Sequence, residues 1–327
     1  MRVVMLTHEL PSQANANTIA PIAVQIESLR KCGVDIEVVQ LLGRKKIKYL
    51  QTFPRFQRSI RSDVDLVHAH YGFCGMLART QWRKPLVVSF MGSDLLGTPD
   101  HLGRLEPLSR VEMLANRCLA RFVDAVIVKS PEMARVLSPI QAHIVPNGVD
   151  LELFHPIEKV EAMQFLGWRS DRHYVLFPGN PQTPRKGYPF AEEAIRLAEE
   201  KINETIEIKT LYHVPHRQVP WYMNACDLVM MTSYIEGSPN VIKEAMACNR
   251  PVVGVPVGDV VELLQDVPGC TIVQREVIVY SDALVTTLRG ALTAQRRDAL
   301  IKKGLDIESV ARKIIGIYDR AIRKSHS

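Results

Sequence analysis

Two glutamates, Glu236 and Glu244, stand with seven residues between them in the second half of the chain. Ser238 is a favoured N-cap residue and Pro239 a favoured first helical residue, so a helix is predicted to begin between the two carboxylates. Glu236 then lies in the loop before the helix, and Glu244 lies less than two turns into it. Carboxylates in these positions can accept hydrogen bonds from the hydroxyl groups of a ligand.

The start of this predicted helix is a candidate anion site. The amides of Asn240 and Val241 lie in its first turn and point outward with the positive end of the helix dipole. The strand Leu228 to Met231 comes before the helix, which places the helix start at the carboxyl edge of a sheet, where ligands bind. This arrangement suits the diphosphate of a nucleotide-sugar, although an unrelated pair of surface glutamates is the alternative. The donor-binding residues predicted in this segment are Glu236, Gly237, Ser238, Asn240, Val241 and Glu244.

A second loop carries two adjacent cations, Arg185 and Lys186. It follows a predicted strand that ends at Phe177, and it contains Gly179 and Asn180. Lysine is a compact charge and arginine can bind two oxygens at once, so the loop also suits a diphosphate. A basic loop that only faces water is the alternative.

Strands and helices alternate through both halves of the chain, which is the pattern of parallel sheets covered on both faces. The predicted strands are Val3 to Leu6, Val34 to Leu41, Leu66 to His70, Pro85 to Phe90, Ala125 to Val128, Tyr174 to Phe177, Glu204 to Tyr212, Leu228 to Met231 and Val252 to Val255. The predicted helices include Tyr188 to Lys201, Val219 to Ala225, Pro239 to Ala247 and Ile307 to Ile322. A chain of 327 residues suits two domains.

The segment from Glu236 to Ala247 has the form E-G-x-P-x-x-x-x-E-A-M-A and resembles the signature of retaining glycosyltransferase family 4. The resemblance implies that Glu236 meets the donor sugar and Glu244 the ribose. In this family the loop before it supplies an Arg after its Gly and a Lys six residues later, both on the diphosphate. Lys186 matches the Lys, Asn180 stands at the Arg position, and Arg185 is left to cover the missing charge.

The family has the GT-B fold, and the resemblance covers nearly the whole chain. It implies an α/β protein with two Rossmann-like domains whose parallel sheets face a central cleft. The acceptor-side domain is expected at 1–152 and the donor-binding domain at 153–306. The last helix, 307–327, is expected to pack back on the first domain.

The resemblance also implies an acceptor side in the first domain. The segments ending at His70 and Asp94 resemble the family's H-A-H and F-H-G-S-D segments, and Met91 stands where many members have a His. The loop before Thr18 lacks the two adjacent glycines that the family often has there. His70 or Asp94 is expected to assist the acceptor hydroxyl, although a histidine at a strand end is often structural. The acceptor-side residues predicted from these segments are Asn17, His70, Met91, Gly92 and Ser93.

These features predict a retaining glycosyltransferase that moves a hexose-type sugar from a nucleoside-diphosphate sugar to a hydroxyl of a saccharide or lipid-linked acceptor, in polysaccharide or glycolipid synthesis. The predicted catalytic residues are Glu236, Lys186, Asp94 and His70. Three alternatives stay open: a GT-B-like nucleotide-sugar epimerase, an inactive family member that binds nucleotide-sugar or acts as a scaffold, and a basic protein that binds membrane or nucleic acid.

The net charge of +6 favours an anionic partner. The segment 44–61 has seven cations, interleaved with aromatic residues, and no acidic residue. It is either a solvated helix face or a surface that docks on an anionic membrane. No nucleic-acid motif accompanies it, so no nucleic acid is expected. The cations of the segment are Arg44, Lys45, Lys46, Lys48, Arg55, Arg58 and Arg61.

Other patterns narrow the expectations further. No apolar run is long enough to span a membrane and no signal peptide is evident, so a cytoplasmic protein is expected, with a peripheral place on the membrane as an option. Six scattered cysteines indicate no disulfide framework. Asp63 and Asp65 match an Asp-x-Asp metal motif but lie before a strand, where turn chemistry explains them. No metal or cofactor is expected, so Lys186, Arg185 and helix amides must stabilise the departing diphosphate.

Overall fold

The structure is a computed structural model that describes residues 1–8, 10, 20–43, 47–98, 104–290 and 295–326. The described residues form two compact units. The chain leaves the first unit after Gly148 and returns to it at Ile307, and the second unit takes Val149–Asp306.

The first unit is built on a six-stranded parallel sheet. Its strands are β1 (Arg2–Thr7), β2 (Asp35–Gln40), β3 (Leu66–His70), β4 (Leu86–Ser89), β5 (Ala125–Val128) and β6 (His143–Ile144). They lie in the order β2-β1-β3-β4-β5-β6, and every pair is parallel. β3 and β4 are buried along their whole length, which explains why apolar residues follow one another there instead of alternating with polar ones.

Helices cover this sheet and connect its strands. They are α1 (Ala20–Lys31), α2 (Lys48–Ser59), α3 (Gly72–Ala78), α4 (Ser93–Leu96), α5 (Pro107–Leu119), α6 (Pro131–Leu137) and the last helix of the chain, here called α14 (Ile307–His326). A short 3₁₀ turn, Ala120–Phe122, follows α5. None of the helices within the described ranges is long and apolar enough to cross a membrane.

The second unit has a five-stranded parallel sheet. Its strands are β7 (His173–Phe177), β8 (Ile206–Thr210), β9 (Leu228–Met231), β10 (Val252–Gly254) and β11 (Thr271–Ile272). They lie in the order β11-β10-β9-β7-β8. The helices are α7 (Lys159–Leu166), α8 (Tyr188–Ile202), α9 (Val219–Ala225), α10 (Asn240–Ala247), α11 (Val260–Leu264), α12 (Val277–Arg289) and α13 (Arg296–Lys302). Two 3₁₀ turns, Pro184–Lys186 and His216–Gln218, precede α8 and α9.

The strand order reverses beside the first strand of each sheet. In the second unit β7 lies between β8 and β9, so the loops 178–187 and 232–239 flank the switch point at the carboxyl ends of β7 and β9. In open α/β sheets this is where a ligand binds. In the first unit β1 lies between β2 and β3, and most of the loop after β1 falls outside the described residues.

The α14 helix belongs to the first unit, where its apolar face packs against α1 and the sheet. Tyr318 is fully buried there, and its hydroxyl lies 2.6 Å from Nδ1 of His68. Nε2 of His68 is 2.8 Å from the Ser89 hydroxyl. Burial lowers the pKa of His68 to about 3, so the ring is neutral and serves to tie α14 to the sheet.

The two parallel-sheet α/β units confirm the predicted fold class. Each predicted strand is present, with ends that differ by at most two residues. β6 and β11 were not predicted, because two residues at the edge of a sheet are too few to produce a periodic signal.

Candidate active site

Glu236 forms ion pairs with both cations of the loop after β7. Its Oε1 accepts hydrogen bonds from Nζ of Lys186 at 2.8 Å and from Nη1 of Arg185 at 3.0 Å. The Glu236 side chain is 12% exposed, against 17% for Lys186 and 39% for Arg185. Burial raises the pKa of Glu236, but the charges of Lys186 and Arg185 together with hydrogen bonds to the carboxylate outweigh it, so the pKa is lowered and the carboxylate is ionised.

The backbones of the two loops are joined as well. The Thr232 hydroxyl donates to the carbonyl of Lys186 at 2.9 Å, and the amide of Tyr234 donates to the carbonyl of Arg185 at 2.8 Å. These bonds hold the loop with the cations against the loop with Glu236. The ion pairs are therefore made by side chains whose backbones are already fixed.

Two glycines allow this close approach. Gly187 has φ +69°, and a Cβ there would lie 2.6 Å from the carbonyl oxygen of Thr232. Gly258 has φ +59°, and a Cβ there would lie 2.6 Å from the carbonyl oxygens of both Glu236 and Gly237. The loop after β10 thus packs directly against the backbone of the loop that carries Glu236. Gly258 was not singled out from the sequence, because its contact depends on the order of the strands.

The predicted N-cap of α10 is wrong. Pro239, with extended backbone, is the cap residue, and the helix begins at Asn240. A proline disfavours helical geometry in the residue before it, which keeps Ser238 one position further out. The Ser238 hydroxyl instead accepts a hydrogen bond from Nζ of Lys243 at 3.1 Å. Asn240 and Val241 occupy the first turn, as predicted, so the positive end of the α10 dipole lies there.

A buried pair of charges lies behind the Glu236 loop. Burial lowers the pKa of Lys243 to about 8, and the charge of Asp259 opposes this shift. Burial also raises the pKa of Asp259 to about 6, while Lys243 and Ser238 oppose that shift. Ser238 therefore interacts with both charges. The pair thus anchors Ser238, which lies two positions after Glu236.

The second glutamate of the motif has a different partner. Oε1 of Glu244 lies 3.5 Å from Nε2 of His216, and its side chain is largely buried. The His216 ring in turn makes an edge contact with Phe154, with ring centres 5.4 Å apart. Sequence reasoning missed His216, which stands 28 positions before Glu244 in the chain.

Asn180 shapes the loop after β7. Its side-chain oxygen accepts a hydrogen bond from the amide of Gln182 at 2.9 Å, and its carbonyl accepts one from Thr183. This is a local turn that an asparagine favours. Gly179 before it has φ +125°, and a Cβ at this position would lie 3.6 Å from Cε of Lys186. A contact between Asn180 and a donor stays a prediction.

In the first unit, His70 lies deeper than its position at a strand end indicated. It is fully buried, and its Nε2 lies 3.1 Å from the side-chain amide nitrogen, Nε2, of Gln25. Within the described part of the chain, Nδ1 has no hydrogen-bond partner. Burial lowers the pKa of His70 well below its usual value. A role for His70 on an acceptor hydroxyl stays a prediction.

Asp94 holds the turn after β4. Its carboxylate accepts hydrogen bonds from the amides of Met91 at 3.0 Å and Gly92 at 2.9 Å. Burial raises the pKa of Asp94, and these backbone bonds oppose that shift. Met91 packs against the core of the unit, and Ser93 is exposed at the start of α4. Asn17 lies outside the described residues.

The carboxyl end of β1 carries a histidine that the sequence did not reveal as a candidate. Nδ1 of His8 lies 3.0 Å from Nζ of Lys48, and its ring makes an edge contact with Tyr71. Burial and the Lys48 charge lower the pKa of His8 to about 4. A neutral ring therefore lies at the switch point of the first sheet.

Asp63 and Asp65 lie at the opposite edge of this sheet. Asp63 forms an ion pair with Arg2 at 2.6 Å, and Asp65 accepts a hydrogen bond from the amide of Arg2 at 2.7 Å. Both lie in the turn before β3, as predicted. Among the described residues, no group of three histidine, cysteine or carboxylate side chains is arranged to hold a metal ion.

Two parallel-sheet α/β units define the fold class of the GT-B glycosyltransferases. The model of Glycosyltransferase Family 4 matches residues 2–153, and the model of Glycosyl transferases group 1 matches residues 179–318. Together the two matches take in most of the chain, and the chain belongs to this family of glycosyltransferases.

Curated relatives include the D-inositol 3-phosphate glycosyltransferase of Mycobacterium tuberculosis (strain H37Rv). It is 28% identical over 265 residues, which cover 69% of this chain and 54% of that protein. The chain thus spans about half the length of the curated relatives it matches.

Solved structures share the fold. Sucrose-phosphate synthase from Thermosynechococcus elongatus has a TM-score of 0.75 and 15% identity, with 99% of this chain and 100% of that chain covered. Anabaena HepE in complex with UDP and glucose has a TM-score of 0.71 and 18% identity, with 97% and 98% covered.

Gly187 and Gly167 offer a matched test of the close approach at the site. Gly167 has φ +66°, and a Cβ there would meet nothing within 4 Å, whereas one at Gly187 would meet the Thr232 carbonyl. We expect Gly167→Ala to lower the free energy of unfolding by about 1–2 kcal/mol from backbone strain alone. Gly187→Ala should cost about 1–3 kcal/mol more, because the loops must also move apart. Urea unfolding of both variants measures this, and equal losses would contradict the described packing.

Proposed function

We propose that this protein transfers a hexose-type sugar from a nucleoside-diphosphate sugar to a hydroxyl of an acceptor, with retention of anomeric configuration. The observation that carries the proposal is the contact of Glu236 with Arg185 and Lys186 at the switch point of the second sheet. Two cations and a helix N-terminus suit a diphosphate, and a carboxylate beside them suits a sugar hydroxyl. Family membership supports the same reaction class.

In this proposal the diphosphate displaces Glu236 from the cations. Its oxygens carry more negative charge than one carboxylate, so it competes for Arg185 and Lys186. Glu236 is then released to accept hydrogen bonds from the donor sugar, while Glu244 binds the ribose. As the bond between the anomeric carbon and the diphosphate oxygen breaks, the electron pair leaves with the phosphate, and the cations and the α10 dipole stabilise it. The acceptor oxygen forms the new bond, and its proton passes to the departing phosphate.

Uridine diphosphate is our first choice of carrier, because HepE structures of the same fold were solved with UDP and with UDP-glucose. The two cations supply the charge that a divalent ion would otherwise bring, so we propose transfer without a metal. A saccharide or a lipid-linked sugar is the proposed acceptor, in the synthesis of a polysaccharide or glycolipid.

A second candidate function is nucleotide-sugar binding without transfer. Burial of His70 and Asp94 favours it, since both side chains are removed from solvent in the described conformation. Met91 and Asn180, which stand where the family pattern has a His and an Arg, also favour binding without transfer. A nucleotide-sugar epimerase would share the diphosphate site but convert the donor without an acceptor.

The α2 helix supports a proposal about location. Its buried side faces the unit through Thr52, Phe56 and Ser59, whereas Leu50 is 74% exposed and Phe53 is 41% exposed. Arg55 and Arg58 are exposed on the same helix. An apolar strip flanked by cations suits the surface of an anionic bilayer, so we propose peripheral binding to the cytoplasmic face of a membrane. Arg44, Lys45 and Lys46, which belong to the predicted basic segment, lie outside the described residues.

The donor site is tested with Glu236→Gln and its matched control Glu244→Gln. Isothermal titration with UDP should show about 10-fold tighter binding to Glu236→Gln than to the wild type, because a neutral amide competes less for Arg185 and Lys186. Sugar transfer by Glu236→Gln should fall at least about 100-fold. Glu244→Gln makes the same change away from the cations and should not bind UDP more tightly.

Weaker UDP binding by Glu236→Gln than by the wild type would contradict the displacement step. UDP-sugar bound by the wild type without transfer to any of a panel of saccharide and lipid acceptors would favour the binding protein instead. Conversion of the donor sugar without an acceptor would favour the epimerase.

Membrane binding is tested by sedimentation with vesicles of phosphatidylglycerol and phosphatidylcholine. We expect the wild type to bind anionic vesicles and to dissociate at high salt, since salt screens surface charge. Leu50→Ser with Phe53→Ser should reduce binding at least about 10-fold, because burial of two apolar side chains is lost. The control, Leu108→Ser with Leu114→Ser, alters similarly exposed leucines on α5 and should leave binding unchanged. Equal binding by both double variants would reject α2 as the contact surface.

A further inference from the structure

Arg275 lies in the loop between β11 and α12, 39 positions after Glu236. Its guanidinium stands 3.6 Å from the centre of the Tyr234 ring and 4.7 Å from the centre of the Phe190 ring. Its Nη1 donates a hydrogen bond to the carbonyl of Thr232. One side chain thus contacts the start of α8 and two residues of the loop that leads to Glu236.

The same guanidinium also contacts the loop with the cations. A Cβ at Gly187 would lie 2.2 Å from Nη2 of Arg275, so this nitrogen packs directly against the residue that follows Lys186. Thr232, which accepts the bond from Nη1, donates its own hydroxyl hydrogen to the Lys186 carbonyl. Arg275 therefore packs against both the loop of Lys186 and the loop of Glu236 where these two loops contact each other.

The chemistry of this position requires an arginine. A planar guanidinium can contact two aromatic rings through its faces and donate hydrogen bonds along its edge at the same time. The tetrahedral ammonium group of lysine has no planar face, so it cannot stack on aromatic rings and donate hydrogen bonds in the plane of such a face at the same time. Nη2 is buried and has no hydrogen-bond partner within the described residues. Its close packing against Gly187 therefore leaves a buried donor unsatisfied, which lowers the free energy of unfolding.

We propose that Arg275 is a positioning residue for the donor site: it fixes the loop of Lys186 against the loop of Glu236, and so sets the gap into which a diphosphate must fit. The inference rests on the proposed function, because it assumes that Arg185 and Lys186 bind the diphosphate. Arg275 itself needs no contact with the ligand. Its effect on binding comes through the position of Lys186.

A matched residue separates positioning from plain stability. Arg79 in the first unit stacks on Trp82 at the same distance, 3.6 Å, and its guanidinium donates to the carbonyls of Phe122 and Gln81. Removal of either guanidinium deletes a stacked cation and its carbonyl bonds. Only Arg275 does so beside the donor site.

The experiment compares Arg275→Ala, Arg275→Lys and Arg79→Ala by titration with UDP and with inorganic pyrophosphate, a probe that does not depend on the base. Both alanine variants should unfold at a lower temperature than the wild type. Arg275→Ala should bind both probes at least 10-fold more weakly, and Arg79→Ala should bind them as the wild type does. Arg275→Lys should restore less than half of the loss in binding free energy, and added methylguanidinium should strengthen binding by Arg275→Ala but not by the wild type.

Two results overturn the inference. If Arg275→Lys, which keeps the charge and most of the bulk, binds both probes within twofold of the wild type, then the stacked guanidinium does not position the site. This variant decides the matter even if Arg275→Ala fails to fold. If the folded wild type binds neither UDP, GDP, ADP nor pyrophosphate, the proposed function fails and the inference fails with it.

Discussion

The ionised carboxylate of Glu236, largely removed from water, is the constraint on which the site depends. A buried charge is costly unless it is paired, and removal of one partner of a buried pair costs about 3–5 kcal/mol. Lys186 is nearly as buried as Glu236 and supplies most of this compensation, whereas Arg185 is more exposed and its share is screened by solvent. The pair therefore fixes the position of each partner. A ligand that takes the cations must also leave Glu236 a new partner, and the hydroxyls of a donor sugar are suitable ones.

The fold provides the conditions for this contact. Glu236 and Lys186 are 50 positions apart in the chain, and they meet because β7 and β9 are neighbours in the sheet and parallel. Their loops leave the sheet at the same edge, where the strand order reverses. Gly187 and Gly258 let the backbones approach to distances that no side chain would allow. Arg275 and the buried pair of Lys243 and Asp259 then support the loop that carries Glu236 through contacts with its residues 232–238.

Much of this could be predicted from the sequence. Continuous apolar runs revealed the buried parallel strands, and the loops that follow two of them contained Arg185, Lys186 and Glu236. These three residues come together in the structure. What could not be predicted depends on long-range contacts: Arg275 and Gly258 have no local pattern, because their role comes from the strand order. Ser238 was assigned as a cap from local preference, but a buried lysine five positions later engages its hydroxyl. His70 ends β3 and Asp94 lies in α4, just after β4, yet the sequence does not reveal how deeply the carboxyl edge of the sheet is covered at these positions.

The most direct test of the central claim is a crystal structure of the protein with UDP bound. We expect the diphosphate to lie at the start of α10, with its oxygens within hydrogen-bond distance of Lys186 Nζ and Arg185, and Glu236 Oε1 to have moved out of hydrogen-bond distance of both cations. A structure in which UDP binds while Glu236 keeps its bonds to Lys186 and Arg185 would contradict the displacement of Glu236, because the cations would then serve the fold and not the donor.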